Sequence, residues 1–362
     1  MFIFKNLFWW KIIKMNKIQI VSLLLTRKCN LKCSYCSIVK NYKDKPKEYP
    51  DMSYYHKNEM SLEFIIETLT KLKDHNKDVF ILIYGGEPLL RQDLPDIIQH
   101  CHNIDIHYTI ISNNTNEVEP ALERLISKVG KIEGYTFSID PLIVSDEHDN
   151  DRIRKSKEGL ERVLKYKSYI KDLVAEVTID RRNIEYILPL VRKLTKLGIC
   201  SDLTFIDISH SNYYDFSNVT DENLLVLPYP NVHRQFNTMY VEHLNIHMGK
   251  SFYDKVLNVS GSNMDCELEK DFNNLTIDAD GSVRLCLRIR GSNTPDNFKA
   301  NEIFMENGHL NKDFLNIISQ DKENYCLGCN WTCQIISSMF SKNEVSTDDV
   351  IHTNIRDNNE SM

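Results

Sequence analysis

The residues best suited to chemistry in this 362-residue chain are its cysteines. In "TRKCNLKCSYCSIVK" (26–40), Cys29, Cys33 and Cys36 are spaced C-x3-C-x2-C. Thiolates ligate iron–sulfur clusters and zinc. Structural zinc sites close with four protein ligands. Here no fourth cysteine lies near, and the nearest histidine, His56, is 20 residues beyond Cys36. A four-iron cluster held by three thiolates leaves one iron open to an outside ligand, so the loop reads as an open metal site. A zinc site and a group of core cysteines are the competing readings. A second group lies downstream: Cys266, Gly281 and Cys286 fit C-x14-G-x4-C, and Cys326, Cys329 and Cys333 follow as C-x2-C-x3-C. Cys101 and Cys200 stand apart in helical or apolar surroundings and read as inert core thiols.

Loops this far apart need a scaffold that gathers them. "IQIVSLLLT" (18–26) is a near-continuous apolar run, as in a buried parallel strand, and the first cysteine loop follows it directly. "SLEFIIETLTKLKDH" (61–75) has helical spacing, with Ser61 as its cap. "VFILIYGG" (79–86) is a second strand ending in paired glycines. Further strands are expected at 104–112, 134–140, 173–180 and 201–208, with helices between them, the last over 184–198. Such alternation predicts right-handed βαβ units and a parallel sheet. A full eight-stranded barrel takes about 250 residues. The pattern here stops near 208, so the expectation is an α/β chain built on a partial (β/α)6 TIM barrel, with reactive loops at the C-terminal ends of its strands.

The cysteine loop after the first strand resembles the hallmark of the radical S-adenosylmethionine (SAM) enzymes. That resemblance implies a [4Fe-4S] cluster on Cys29, Cys33 and Cys36 whose open iron binds SAM. It also places Tyr35, just before the third cysteine, beside the adenine. "YGGEPLL" (84–90) matches the family's "GGEP" segment, which implies that Gly85, Gly86, Glu87 and Pro88 line the methionine moiety of SAM. Paired glycines also let backbone approach a ligand closely. "SNN" (112–114) stands where relatives often carry "TNG", implicating Ser112 and Asn113; Asn114 replaces the glycine, and Asn tolerates a left-handed backbone. "FSIDPLIVSDEHDNDRIRK" resembles "SIDGP…HD..R", which makes Ser138 and Arg152 candidates for the SAM ribose and carboxylate, with Arg154 as the alternative register. The second cysteine group resembles a shortened SPASM/twitch extension. By that likeness Cys266, Cys286, Cys326 and Cys329 hold one auxiliary [4Fe-4S] cluster, with Cys333 a spare or substitute. Zinc in a ribbon-like site is the alternative.

Composition sets outer bounds. At 26% charged and 42% hydrophobic residues, the chain is globular in type, with length for a large core or two domains. A net charge of -7 argues against a nucleic-acid partner. Clustered cysteines without a convincing signal peptide favour metal ligation over disulfides and a cytoplasmic setting. The expected organisation is an apolar, basic extension at 1–17, the barrel at 18–208, a linking or substrate-side region at 209–265, a cysteine-rich auxiliary domain at 266–340 and a disordered tail at 341–362. Within 275–287, "DADG" between two β-prone runs predicts a hairpin. The first 17 residues are too short to span a bilayer, which takes roughly 20 apolar residues. They read as a packed helix, an over-long start with Met15 as initiator, or a surface helix touching a membrane.

The resemblance implies reductive SAM cleavage and hydrogen abstraction from a substrate, with an external electron donor such as flavodoxin or ferredoxin. A peptide or protein side chain is the favoured substrate class. A small molecule is the alternative, strengthened by the lack of a peptide-recognition domain ahead of the barrel. A non-catalytic, metal-stabilised binding protein is the reading from another class; the intact cysteine loop and "GGEP" weigh against it.

Overall fold

The computed structural model describes residues 18, 20–31, 57–139, 150–179, 183–205, 230–247, 274–284, 298–305, 309–314 and 316, with backbone only at 150–157, 205, 230–231, 274 and 284. Cys33, Tyr35, Cys36, Cys266, Cys286, Cys326, Cys329 and Cys333 lie outside the described residues, as do 1–17, 341–362 and the side chain of Arg152.

Strands and helices alternate as expected: β1 (Ile20–Thr26), α1 (Leu62–His75), β2 (Phe80–Gly85), α2 (Leu94–Asn103), β3 (His107–Ser112), α3 (Glu119–Val129), β4 (Ile132–Ser138), α4 (Asn150–Tyr166), β5 (Ile170–Ile179), α5 (Ile184–Lys196) and β6 (Cys200–Phe205). Helix α6 (Pro230–Val241) follows, then β7 (Asn274–Ile277) and β8 (Val283–Arg284). Local chemistry sets the boundaries. The Ser61 side chain caps α1 by accepting the Phe64 N–H at 3.2 Å. Gly130, with φ +76°, ends α3 so abruptly that β4 begins two residues later, ahead of the expected start at 134. β3 starts later than expected because Ile104 caps α2 and Asp105 is left-handed at φ 54°. Among the described residues, no helix is long and apolar enough to cross a membrane.

The strands form one sheet in the order β6-β5-β4-β3-β2-β1-β7-β8. Every neighbouring pair from β6 to β7 is parallel, giving seven parallel strands, and only β8 runs antiparallel, against β7. The expected hairpin is therefore present, and its first strand also extends the main sheet by pairing Ile20–Leu23 with Asn274–Ile277.

Alternation along the strands sorts the two faces of the sheet. Val21, Leu23, Ile81, Ile83, Tyr108, Ile110, Tyr135, Phe137, Ala175, Val177 and Leu203 are fully buried and share one core with apolar residues of α1 to α5. The other face carries half-buried Ser22, Thr109, Thr136, Glu176, Thr178, Asp202 and Thr204. Leu24, Leu82, Ile111 and Val174 alternate onto the same face, so it is mixed in character, and the polar strand exits gather at the C-terminal edge.

Candidate functional site

Three consecutive strand exits, after β1, β2 and β3, meet at that C-terminal edge and are joined by side-chain bonds. Cys29 lies in the exit of β1. Its sulfur accepts the Leu31 N–H at 3.4 Å and an Asn113 Nδ2–H at 3.7 Å. Asn30 reaches the exit of β3: its Nδ2 donates to Thr115 Oγ1 at 2.7 Å, and its Oδ1 accepts from Asn113 Nδ2 at 2.8 Å. The chain returning toward α1 is tied down as well. Thr26 Oγ1 donates to Glu59 Oε1 at 2.5 Å, and Lys28 Nζ meets Glu59 Oε2 at 3.1 Å.

The paired glycines end β2 against this loop. The Gly86 N–H donates to Thr26 O at 2.7 Å, and the Glu87 N–H donates to Lys28 O at 2.8 Å. A Cβ on Gly85 would lie 2.3 Å from Thr26 O, and one on Gly86 would lie 2.1 Å from Lys28 O. The close approach these glycines permit is thus to the backbone of the cysteine loop. Glu87 is fully buried. Its Oε1 accepts the Leu89 N–H and the Ser112 hydroxyl, both at 3.0 Å, and its Oε2 accepts the Asn113 N–H at 2.7 Å. Beside it, the Arg91 guanidinium donates to Leu25 O and Met60 O, both at 2.9 Å, and pairs with Asp93. Pro88 opens a short 3-10 turn and is buried.

Asn114 adopts φ 50°, the left-handed conformation that the missing glycine would have supplied. It also does what glycine cannot. Its Oδ1 accepts the Tyr135 hydroxyl at 3.3 Å, and its Nδ2 donates to Gly159 O at 2.7 Å, locking β3 to β4 and α4. Arg162 of α4 donates to Asn114 O at 2.5 Å and pairs with Glu119. Ser138 is exposed at the end of β4, in register with Glu176, which is in register with Asp202. Arg152 lies in the first turn of α4.

Burial pushes the Glu87 carboxyl up to about 7, against the three hydrogen bonds that favour its charge. An acid whose folded pKa is raised is most stabilising below its unfolded value, 4.5, and loses stability as pH rises to about 7. The expected loss is about 3 kcal/mol at 1.36 kcal/mol per pKa unit. Other groups titrate in this window, so the measurement is a difference: unfolding free energy of the wild type minus Glu87→Gln between pH 4.5 and 8. A flat difference would contradict the assignment.

The sequence profile described as "Radical SAM superfamily" matches residues 23–206, just over half of the chain. The chain belongs to the radical SAM superfamily. Two curated relatives are the radical SAM cyclopropyl synthase TigE of Paramaledivibacter caminithermalis and the GTP 3',8-cyclase of Aquifex aeolicus. The first is 25% identical over 233 residues, covering 61% of this chain and 44% of TigE. The second is 27% identical over 208 residues, covering 56% of this chain and 61% of the cyclase. The chain thus spans about half the length of the curated relatives it matches. Streptococcus suis SuiB bound to its precursor peptide SuiA superposes with a TM-score of 0.57 at 15% identity, covering 87% of this chain and 67% of SuiB. At that identity the likeness concerns the fold.

As a radical SAM protein, the chain is expected to hold a cluster through its first cysteine loop, and the described part of that loop fits one. Two N–H groups already point at the Cys29 sulfur, as they would at an anionic ligand. Cys101 and Cys200 differ: burial pushes both thiols up to about 12, which holds them protonated. Sequence reasoning missed several residues that build the site. Arg27 and Asp278, 251 positions apart, form a bidentate and fully buried ion pair between the exit of β1 and the hairpin. Asn30 and Arg91 likewise carry no local sequence signal for the partners they find.

Proposed function

We propose that this radical SAM protein cleaves SAM reductively and abstracts hydrogen from a peptide or protein side chain. The observation that carries the reading is the convergence of three strand exits on the loop that carries Cys29. When bound, the cluster supplies the electron that splits SAM into methionine and a 5'-deoxyadenosyl radical. The chain's own part is to hold and orient. Cys29, Cys33 and Cys36 are the proposed ligands. Gly85, Gly86, Glu87 and Pro88 fix the loop that faces the methionine end of SAM, with Ser112 and Asn113 beside it. Tyr35 packs on adenine, and Ser138 and Arg152 take the ribose and carboxylate. The sheet is read as a partial (β/α)6 barrel over 18–208, whose half-buried face, with Ser22, Thr109, Thr136, Glu176 and Asp202 among apolar neighbours, lines the reaction chamber.

The region 266–340 is proposed as a SPASM/twitch-like domain holding one auxiliary [4Fe-4S] cluster through Cys266, Cys286, Cys326 and Cys329, with Cys333 in reserve and zinc as the alternative metal. An external flavodoxin or ferredoxin in the cytoplasm is the proposed donor. The peptide substrate is supported by the shared fold with SuiB, described with its precursor peptide. A small-molecule substrate is the second reading, favoured by the match to a GTP cyclase.

Anaerobic reconstitution followed by SAM and dithionite tests the reading. The wild type is expected to release 5'-deoxyadenosine, and Cys29→Ala to lose the activity together with about four irons per chain. Absence of 5'-deoxyadenosine from the wild type, with equal iron in both proteins, would refute it.

A further inference from the structure

We propose that Asn113 is a positioning residue for the metal centre: it donates a side-chain N–H to the Cys29 sulfur and thereby raises the reduction potential of the cluster held there. The inference rests on the proposed role of Cys29 as a cluster ligand.

The Asn113 carboxamide is fixed from both ends. Its Oδ1 accepts the Thr115 N–H at 3.1 Å. That leaves Nδ2 facing two acceptors, Asn30 Oδ1 at 2.8 Å and Cys29 Sγ at 3.7 Å. Asn30 cannot reverse this arrangement, because its own Nδ2 donates to Thr115 Oγ1 and to Glu117. The orientation of both amides therefore follows from the network. The Asn113 backbone is held separately by its N–H bond to Glu87 Oε2 at 2.7 Å. Substituting the side chain leaves that anchor in place.

These two donors to the Cys29 sulfur, the Leu31 N–H and Asn113 Nδ2, differ in kind. The Leu31 N–H is backbone within the same loop, and its bond follows from the loop's shape. The Asn113 bond comes from another strand exit, 84 positions away, so its geometry depends on how β3 sits against β1. Hydrogen bonds to cluster sulfurs are among the levers that set reduction potential. The positive end of an N–H dipole stabilises the added electron of the reduced state. Removing it makes reduction harder and moves the midpoint to more negative potential. The same bond orients the ligand, as outer-shell partners of metal ligands do.

The test uses full-length, anaerobically reconstituted protein and a redox titration followed by electron paramagnetic resonance. The signal followed is the one that changes when SAM is added. Asn113→Ala removes the donor. Asn113→Asp keeps the acceptor for the Thr115 N–H while replacing the donor with an oxygen. Both are expected to shift the midpoint to more negative potential. Asn30→Ala removes the competing acceptor of Asn113 Nδ2 but leaves the donor to sulfur, and is expected to show no shift to more negative potential. An unchanged midpoint in N113A and N113D, or an equal shift in N30A, overturns the proposal. Loss of the signal from both Asn113 variants with its retention in N30A supports the positioning role, and equal loss in all three overturns it. A wild type with no SAM-sensitive signal, or a Cys29→Ala variant that keeps one, overturns the cluster reading itself and this inference with it.

Discussion

Asp278→Ala is expected to destabilise the protein by roughly 3–5 kcal/mol, the cost of leaving one partner of a buried ion pair without the other. Arg27 and Asp278 are each about 1% exposed, and the guanidinium meets the carboxylate through both Nε and Nη2. Asp278 also accepts the Ala279 N–H at 2.7 Å, so the carboxylate shapes the hairpin turn as well as neutralising Arg27. Removing it leaves a guanidinium in the core without this carboxylate. Arg27 stands two positions before Cys29, so the displacement should reach the cysteine loop and lower iron uptake on reconstitution. The double variant R27M/D278A removes the charge as well, and should be more stable than D278A alone. Denaturant unfolding of the four corners of this cycle measures the coupling. A single variant as stable as the wild type, or a double variant no better than the single, would contradict this account.

That ion pair marks the limit of what the sequence made legible. The six βα units are local features. Apolar runs, a cap at Ser61 and glycines after helices place most of them within a few residues of their observed positions; the exception is α4, read from "EGLERVLKYKSYIK" as 158–171 but observed over Asn150–Tyr166, with β5 starting at Ile170. The DADG hairpin is local too, and Gly281 takes φ +83° in its turn. Its place beside β1 is not local: the segments that pair are about 250 residues apart, and neither carries a mark of the other. The same division holds at the site. Cys29, Gly85–Pro88 and Ser112–Asn114 stand out through their resemblance to the family's motifs, since glycine, proline, serine and asparagine alone are ordinary turn residues. Asn30, Arg91 and Arg27 do not, since a polar or basic residue after a strand is ordinary until its partner is known. The paired glycines are the instructive case. Their pattern points to close approach, and the structure shows that one thing approached is the cysteine loop.

That contact makes Gly86→Ala the second large effect. In the wild type, two bonds link the exits of β1 and β2: Gly86 N–H to Thr26 O at 2.7 Å and Glu87 N–H to Lys28 O at 2.8 Å. A methyl group on Gly86 would lie 2.1 Å from Lys28 O, 2.5 Å from Lys28 C and 2.9 Å from Arg27 C. All three are backbone atoms, so no rotamer change relieves the clash. The Lys28 peptide must move, and its carbonyl is the acceptor for Glu87. Overpacking of this kind costs about 1–3 kcal/mol, and a broken backbone hydrogen bond adds about 1 kcal/mol. The site should lose more than the fold does, because the peptide that moves directly precedes Cys29. G86A is therefore expected to fold with a lowered midpoint of thermal unfolding and to take up markedly less iron than the wild type under identical reconstitution. Gly130→Ala is the comparison. Unlike Gly86 it has a positive φ, +76°, but nothing lies within 4 Å of its added Cβ and it sits at the far end of α3. It should lose stability through backbone strain while keeping full iron. Equal iron in G86A and G130A would mean that the glycine pair does not set the position of the cysteine loop.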